Sequence, residues 1–459
     1  MKKENINQFE SFVNEIMKTF EGQGIGIIGF DQNSVLYEYY QGYRDVENNL
    51  PINRNTIFGI ASITKSYTVI AILQLVEKGI LDLNMPITTY IDSIKLPEGH
   101  IPTVAQLLSH AGGFYPQERF LMKDAAKALG LAETVELSKN STLASKGIEM
   151  VVKRINEMKD FNGTPGQHHS YSNFSFGLLT ELVHRYGGEK HYTDYMEKHI
   201  LKPLNLTNTF FEFNRTHKEK NITKLYEKVI DHMNVTDDYE DMGFVLLGGG
   251  ALKSTLNDMM TYTRLYLNDG KCNEKTLLSK DAIHSMTIPR VAYKPFEGYG
   301  YGLVSGKIGE IEYAGHSGGL TGVSSYFVFT KATQKGLVIL CNTSNVPVSS
   351  IGIAGIKLLN DQKPDWQQMD IIGSEWPRNI IENTLGIYES DEGAHIEIKD
   401  DVTGIAWFSG EERLKVTIID EHAVWVHNKI LASYTPILRD AQGRATAIYS
   451  GSRIIKRKL

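Results

Sequence analysis

Cysteine is almost missing from this chain: Cys272 and Cys341 are the only two in 459 residues. A disulfide framework is thereby excluded, and neither residue belongs to a CxxC or Cys/His cluster with metal-ligand spacing. The expectation is a cytoplasmic protein without metal or other cofactor. No run of 18 apolar residues occurs, so no membrane-spanning helix is expected and no membrane is counted among the partners. A basic excess is lacking as well. The 48 Lys and Arg stand against 54 Asp and Glu, a formal charge of −6, which leaves no positive surface for a nucleic-acid backbone. Nor does an apolar leader follow Lys2 and Lys3, since Glu4, Asn5, Asn7, Gln8 and Glu10 come next.

What remains is the composition of a folded globular protein, with 41% apolar and 22% charged residues. The length suggests about three domain-sized units, or one large and one small. Ile6, Phe9, Phe12, Val13, Ile16, Met17 and Phe20 recur at helical spacing and predict an amphipathic first helix. Residues 24–30 and 34–40 read as a β-hairpin around Asp31-Gln32-Asn33. A helix from about Ser62 to Lys78 is apolar on nearly every face and so belongs in the interior. Residues 103–260 read as mostly helical with long loops, and 299–343 turn to β over Tyr301–Ser305, Glu310–Ala314, Ser324–Thr330 and Gly336–Asn342. A last helix is expected over 349–360. The pattern predicts an α+β fold, an antiparallel sheet flanked by terminal helices with a helical subdomain inserted. A large unit over 1–362, a linker over 363–377 and a small all-β unit over 378–459 complete the expected organisation. In the last unit His395–Lys399, Ile405–Phe408, Leu414–Ile419 and Val424–His427 alternate as in a small barrel or sandwich.

Three short stretches carry chemical interest. In Ser62-Ile63-Thr64-Lys65 the spacing of three puts serine and lysine on one helix face. A lysine whose ammonium form is disfavoured by burial and the helix dipole can accept a serine proton. The bland alternative is Ser62 as an N-cap and Lys65 as a solvated charge. Tyr171-Ser172-Asn173 precedes a helix over Phe174–Tyr186; residues two apart in extended chain point the same way, although Ser172 or Asn173 would also serve as a simple cap. Gly315-His316-Ser317-Gly318-Gly319 lies between two predicted strands, where small residues allow close backbone approach; by itself it reads as a hairpin turn.

Together, in this order, these stretches resemble the serine β-lactamase and penicillin-binding-protein superfamily, in its class C β-lactamase-like branch. Leu107-Leu108-Ser109-His110-Ala111-Gly112-Gly113, Pro203-Leu204-Asn205-Leu206 and Gly249-Gly250-Ala251-Leu252 with Ser254 and Asp258 are similar to further landmarks of that branch. The resemblance spans about residues 10–360, and the β-rich tail is similar to the small barrel-like, lipocalin-like domain appended to some members. It implies Ser62 as the acylated nucleophile and Lys65 as its proton acceptor. It further implies Tyr171 as the acid/base group and Asn173 as a substrate-binding or Lys65-orienting residue. Gly318 and Gly319 would line the substrate and oxyanion position, with the Ser62 and Gly319 amides as donors. His316 stands where many members carry lysine, and a histidine near neutral pH is only partly charged.

Two other motifs are decoys. Gly24-Ile25-Gly26-Ile27-Ile28-Gly29 spells GxGxxG but runs from a helix into a strand, the reverse of a dinucleotide site. Gly315–Gly319 also spells the GxSxG elbow, yet a β-rich run follows in place of a helix. His168 and His169 are adjacent and are expected in a loop or at the surface, not as metal ligands. The function implied is a serine hydrolase cleaving an amide or ester of a small molecule or short peptide through an acyl-enzyme. A peptidase or amidase on D-amino-acid-containing peptides leads; a carboxylesterase, a weak β-lactamase and a non-turnover ligand sensor are the alternatives. Specificity is expected in segments 114–162 and 214–242, and two roles are open for the C-terminal unit, assembly of a homo-oligomer or cover for the cleft.

Overall fold

The computed structural model describes residues 1–458 apart from 118–121, 133–134, 240–246, 273–274, 368 and 402–403. A nine-stranded antiparallel sheet organises the larger part of the chain. In spatial order its strands are Val291–Lys294, Glu297–Tyr299, Val304–Ile308, Ile311–Leu320, Val323–Thr330, Lys335–Cys341, Gly24–Asp31, Val35–Asp45 and Leu50–Pro51. The two ends of this part of the chain meet along one seam, with Ile25 opposite Cys341 and Asp31 opposite Lys335.

Strand alternation decides which residues face which layer. Ile25, Ile27, Ile339 and Cys341 pack under two helices, Lys3–Thr19 and Val348–Leu359, through Phe9, Val13, Ile16, Met17, Ile351 and Ile356. The intervening Ile28, Phe30, Val338 and Leu340 face the larger core on the other side. Burial on both faces explains why the strand Gly24–Asp31 is apolar nearly throughout. The GxGxxG run lies inside this strand and pairs on both sides, so it forms no phosphate-binding turn. The helix Thr64–Glu77 crosses the middle of the larger core, and Lys65 to Leu73 are all buried. That placement explains a helix with no polar face.

Two expectations need correction here. Residues 315–319 do not form a turn; they lie within the strand Ile311–Leu320, with Ser317 opposite Tyr326 on the neighbouring strand. The strand–turn–helix geometry of a nucleophile elbow is therefore absent from Ser317. The helical insertion also contains a hairpin, Leu225–Val229 with His232–Thr236, that the sequence pattern did not announce. Of the two segments expected to govern specificity, 118–121, 133–134 and 240–242 lie outside the described residues; the rest includes the helices Met122–Ala128 and Ser141–Asn156.

After Val348–Leu359 the described residues between 363 and 377 form neither helix nor strand. A short helix, Arg378–Thr384, then leads into a closed eight-stranded barrel from Gly386–Glu389 to Arg453–Arg457. The first and last barrel strands pair through Tyr388 and Arg457. Tyr388, Ile398, Trp407, Val424, Ile437, Ile448 and Ile455 fill its interior, and Ile380 of the short helix joins them.

Phe9 is fully buried between the terminal helices and the sheet, edge-on to Tyr37. Phe9→Ala is expected to lower stability by about 3–5 kcal/mol, read as a reduced urea midpoint; an unchanged midpoint would show that the first helix does not help to hold the sheet.

Candidate active site

The polypeptide reaches Ser62 through a strained bend. Ala61 sits at φ 45, a left-handed conformation uncommon for residues with a Cβ. The residues Ala61–Ile63 form a single 3₁₀ turn, and the α-helix proper starts at Thr64. Ser62 is thus not the helix cap, and it stays partly exposed while its neighbours are buried. The strand Ile311–Leu320 closes on this bend. A Cβ at Gly318 would fall 2.3 Å from the Ile60 carbonyl oxygen and 3.1 Å from the Ser62 nitrogen, so only glycine fits there. At Gly319 a Cβ would meet open space, which places that residue at the edge of the cleft.

Lys65 lies one turn along the helix and is wholly buried. Its Nζ is 3.1 Å from Ser62 Oγ, 3.0 Å from Asn173 Oδ1 and 2.6 Å from the Gly249 carbonyl oxygen. The carbonyl and amide oxygens only accept, so they fix two N–H bonds of the amine. The third contact then falls on Ser62 Oγ, along the lone pair of a neutral amine or the third N–H of an ammonium. The alternative of a solvated Lys65 is excluded.

Tyr171 and Asn173 arrive together, as the two-residue spacing suggested. Ser172 caps the following helix, its Oγ accepting from the Ser175 amide at 3.3 Å, which leaves the Asn173 side chain to Lys65. The Tyr171 ring centroid lies 4.9 Å from Lys65 Nζ. Its hydroxyl is buried, and burial pushes the phenol up, an effect that Ser62 and Arg453 partly offset and Glu392 reinforces.

His316 departs from the expectation of a partly charged group. It is buried, its Nδ1 lies 2.5 Å from the Ser317 carbonyl and its Nε2 lies 2.8 Å from the Tyr299 hydroxyl. The carbonyl can only accept, so Nδ1 carries the proton and Nε2 accepts from Tyr299. Burial, reinforced by Lys65, pushes its pKa down to about 3, so the ring is neutral at neutral pH.

The Leu107–Gly113 stretch proves to be scaffolding for Tyr171. His110, itself at φ 53 and buried, accepts the Ser172 amide on Nδ1 at 3.1 Å and accepts the Ser170 amide on its carbonyl at 2.9 Å. Its ring lies 4.0 Å from that of Tyr171. The Gly249–Leu252 stretch likewise holds the bend at Ser62, since Ile60 donates to the Leu252 carbonyl at 3.0 Å and Leu252 donates to Thr64 Oγ1 at 3.2 Å. Asp258 ties in the segment after Leu206 by accepting from the Asn208 amide at 2.8 Å. His169 is no surface residue: it is buried and stacked on Tyr293 and Tyr299.

Sequence reasoning missed Tyr299, the partner of His316, and the residues that come from the barrel. The Ser452 carbonyl accepts the Tyr171 amide at 2.9 Å, and the Arg453 guanidinium lies 4.9 Å from the Tyr171 ring centroid, paired with Glu392. No spacing rule connects positions so far apart in the chain.

His169 and His316 are both held near pKa 3 by burial, and His110 is held well below its ordinary value. Each binds a proton more readily when unfolded, so each adds stability that is complete above about pH 6.5 and is lost as pH falls below it, down to about 3 for His169 and His316. Stability is expected to decline by up to about 1.4 kcal/mol per pH unit for each such histidine. His169→Phe should reduce the difference in melting temperature between pH 7 and pH 4.5; an unchanged difference would contradict its burial in the neutral form.

Comparison with known proteins bears on the family and the fold. The beta-lactamase family model matches residues 9–357. The human serine beta-lactamase-like protein LACTB, mitochondrial, is 26% identical over 68% of this chain and 72% of its own length. The octameric penicillin-binding protein homologue from Pyrococcus abyssi aligns over 98% of this chain and 100% of its own, with TM-score 0.69 and 25% identity. SurE, which has also been solved with D-Leu, shares the fold over 99% of both chains with TM-score 0.72 and 19% identity. A bend that presents Ser62, a buried Lys65 on its hydroxyl, and a family match across the whole sheet lead to one conclusion: the chain belongs to the beta-lactamase family, within the serine β-lactamase and penicillin-binding-protein superfamily.

Proposed function

We propose that this serine hydrolase works through an acyl-enzyme on Ser62 and that its substrates are short peptides containing D-amino acids. The observation that carries the first part is the Lys65 amine, with Gly249 O and Asn173 Oδ1 on two sides and Ser62 Oγ on the third. Lys65 takes the Ser62 proton as Oγ bonds to the substrate carbonyl carbon. The oxygen of the tetrahedral adduct sits against the Ser62 and Gly319 amides. Tyr171, kept protonated by its burial, gives a proton to the leaving nitrogen or oxygen, and the bond to that atom breaks. Water then attacks the ester carbonyl carbon, losing its proton to Tyr171; as the bond from that carbon to Ser62 Oγ breaks, Lys65 returns its proton to Oγ and the free acid is released. His316, neutral and already bonded to Tyr299, orients the Tyr299 side of the cleft and holds no substrate carboxylate by charge.

The D-peptide part is drawn by analogy of fold from the whole-chain likeness to SurE and the D-Leu found with it.

Intact-protein mass spectrometry with a fluorophosphonate or a penicillin is expected to give one adduct on the wild type and none on Ser62→Ala. Lys65→Met should lower kcat/KM by about 10³-fold or more; labelling that survives Ser62→Ala would remove the mechanism. A screen of D- and L-aminoacyl p-nitroanilides, short-chain esters and nitrocefin is expected to give turnover of the D-anilides. Turnover of esters alone would establish the carboxylesterase reading in its place, and an acyl-enzyme stable for hours with every substrate would establish the sensor.

A further inference from the structure

The C-terminal barrel is stapled to the cleft at the segment that carries Tyr171. Its hairpin of strands Ala445–Ser450 and Arg453–Arg457 turns through Gly451, at φ 59, and Ser452. Tyr449 on one side of the turn donates its hydroxyl proton to the His169 carbonyl at 2.9 Å. On the other side Ile454 donates to Ser170 Oγ at 3.4 Å and accepts on its carbonyl from Asn162 Nδ2 at 3.3 Å. Between them the Ser452 carbonyl takes the Tyr171 amide. A second barrel turn is fixed as well, where Tyr115 donates to the Glu389 carbonyl at 2.7 Å and Gln117 Nε2 donates to Asp391 Oδ2 at 3.0 Å. That turn carries Glu392, the partner of Arg453. The guanidinium is thus aimed by two separate parts of the barrel, and both parts are anchored to the main body.

The groups that face Tyr171 come from five directions. The 3₁₀ turn and the helix that follows it bring Ser62 and Lys65; the 107–113 stretch brings His110; the strand Ile311–Leu320 brings His316, its ring 6.2 Å away; the strand Glu297–Tyr299 brings Tyr299; and the barrel brings Arg453 and Glu392. His110 and His316 are neutral, and Lys65 is committed to Ser62, Asn173 and Gly249. A cation against an aromatic face is attracted to its π electrons, and the attraction grows when the ring oxygen takes on negative charge.

We infer that Arg453 is a positioning residue for Tyr171: the barrel places a guanidinium over the phenol so that this ring gives up its proton to a poor leaving group more easily. The inference rests on the acid role of Tyr171 proposed above. In the step concerned, the carbon–nitrogen bond of the tetrahedral adduct breaks, its electron pair takes the Tyr171 proton, and Arg453 faces the phenolate that remains. Arg453 touches no reacting atom and exchanges no proton. Its electrostatic influence on the phenol has the required sign, since it favours ionisation while Glu392 opposes it.

The test uses the whole 459-residue chain and two substrates with one acyl group, a p-nitroanilide and a p-nitrophenyl ester; p-nitrophenolate leaves without help from an acid. Arg453→Met is expected to lower kcat/KM for the anilide by about tenfold or more and for the ester by less than about threefold, with Arg453→Lys recovering most of the anilide rate. Fluorophosphonate labelling of Ser62, which also needs no acid, should proceed at the wild-type rate and shows that the cleft is intact. In a Tyr171→Phe background Arg453→Met should cost nothing further on the anilide. Equal losses on both substrates, or losses that add to those of Tyr171→Phe, would reduce Arg453 to a structural tether and overturn the inference. Wild-type anilide rates in Arg453→Met would overturn it too, whereas wild-type rates in Tyr171→Phe would instead remove the acid role itself.

Discussion

A buried amine surrounded by oxygen is the constraint from which this structure is best understood. Lys65 has no access to water and reaches Ser62, Asn173 and Gly249, which lie in three distant parts of the sequence. Burying such a group without partners would be prohibitively costly, so the three segments must converge before the core can close around it. The bend at Ala61, the cap at Ser172 and the packing of Gly318 against the Ile60 carbonyl each serve that convergence. Around this centre lies a second layer of rings, His110, His169, Tyr299 and His316, kept neutral and packed face or edge against one another. Such a layer fixes positions without adding competing charge, which preserves the influence of the few cations that remain.

The parts of this arrangement legible in the sequence are those governed by local rules. Ser62 and Lys65 are joined by a helical spacing, Tyr171 and Asn173 by an extended one, and an interior helix betrays itself by having no polar face. The alternating segments after residue 378 announce a β unit, although period alone gave neither its eight strands nor its closure. Other features were hidden because they depend on tertiary context. A histidine within a glycine-rich strand looks like a half-charged ligand until Tyr299 and the Ser317 carbonyl are seen to occupy both its nitrogens. His169 looks like a surface residue because its neighbours are polar, whereas the rings that bury it in its loop come from strands more than a hundred residues later. Arg453 carries no local mark at all, since it alternates with barrel residues like any other strand arginine.

The capping and the chemical readings of Tyr171-Ser172-Asn173 did not compete in the end. Ser172 takes the helix terminus, and its neighbours on either side turn toward Lys65. A single short stretch thus satisfies the backbone and equips the cleft, because alternate residues in an extended segment point in opposite directions. The same economy holds at Asp258, whose carboxylate accepts from two residues after Leu206 while its own amide is capped by Thr255.

The seam in which Gly24–Asp31 pairs with Lys335–Cys341 has a consequence for biosynthesis. The first strand leaves the ribosome early and forms its hairpin with Val35–Asp45, yet its other edge, rich in isoleucine, stays unsatisfied until residue 341 has emerged. At a translation rate of about 5–20 residues per second, that edge waits for some tens of seconds in a state open to pairing with other chains. The length of that interval follows from the order of the strands along the chain and is the same however stable the finished sheet is.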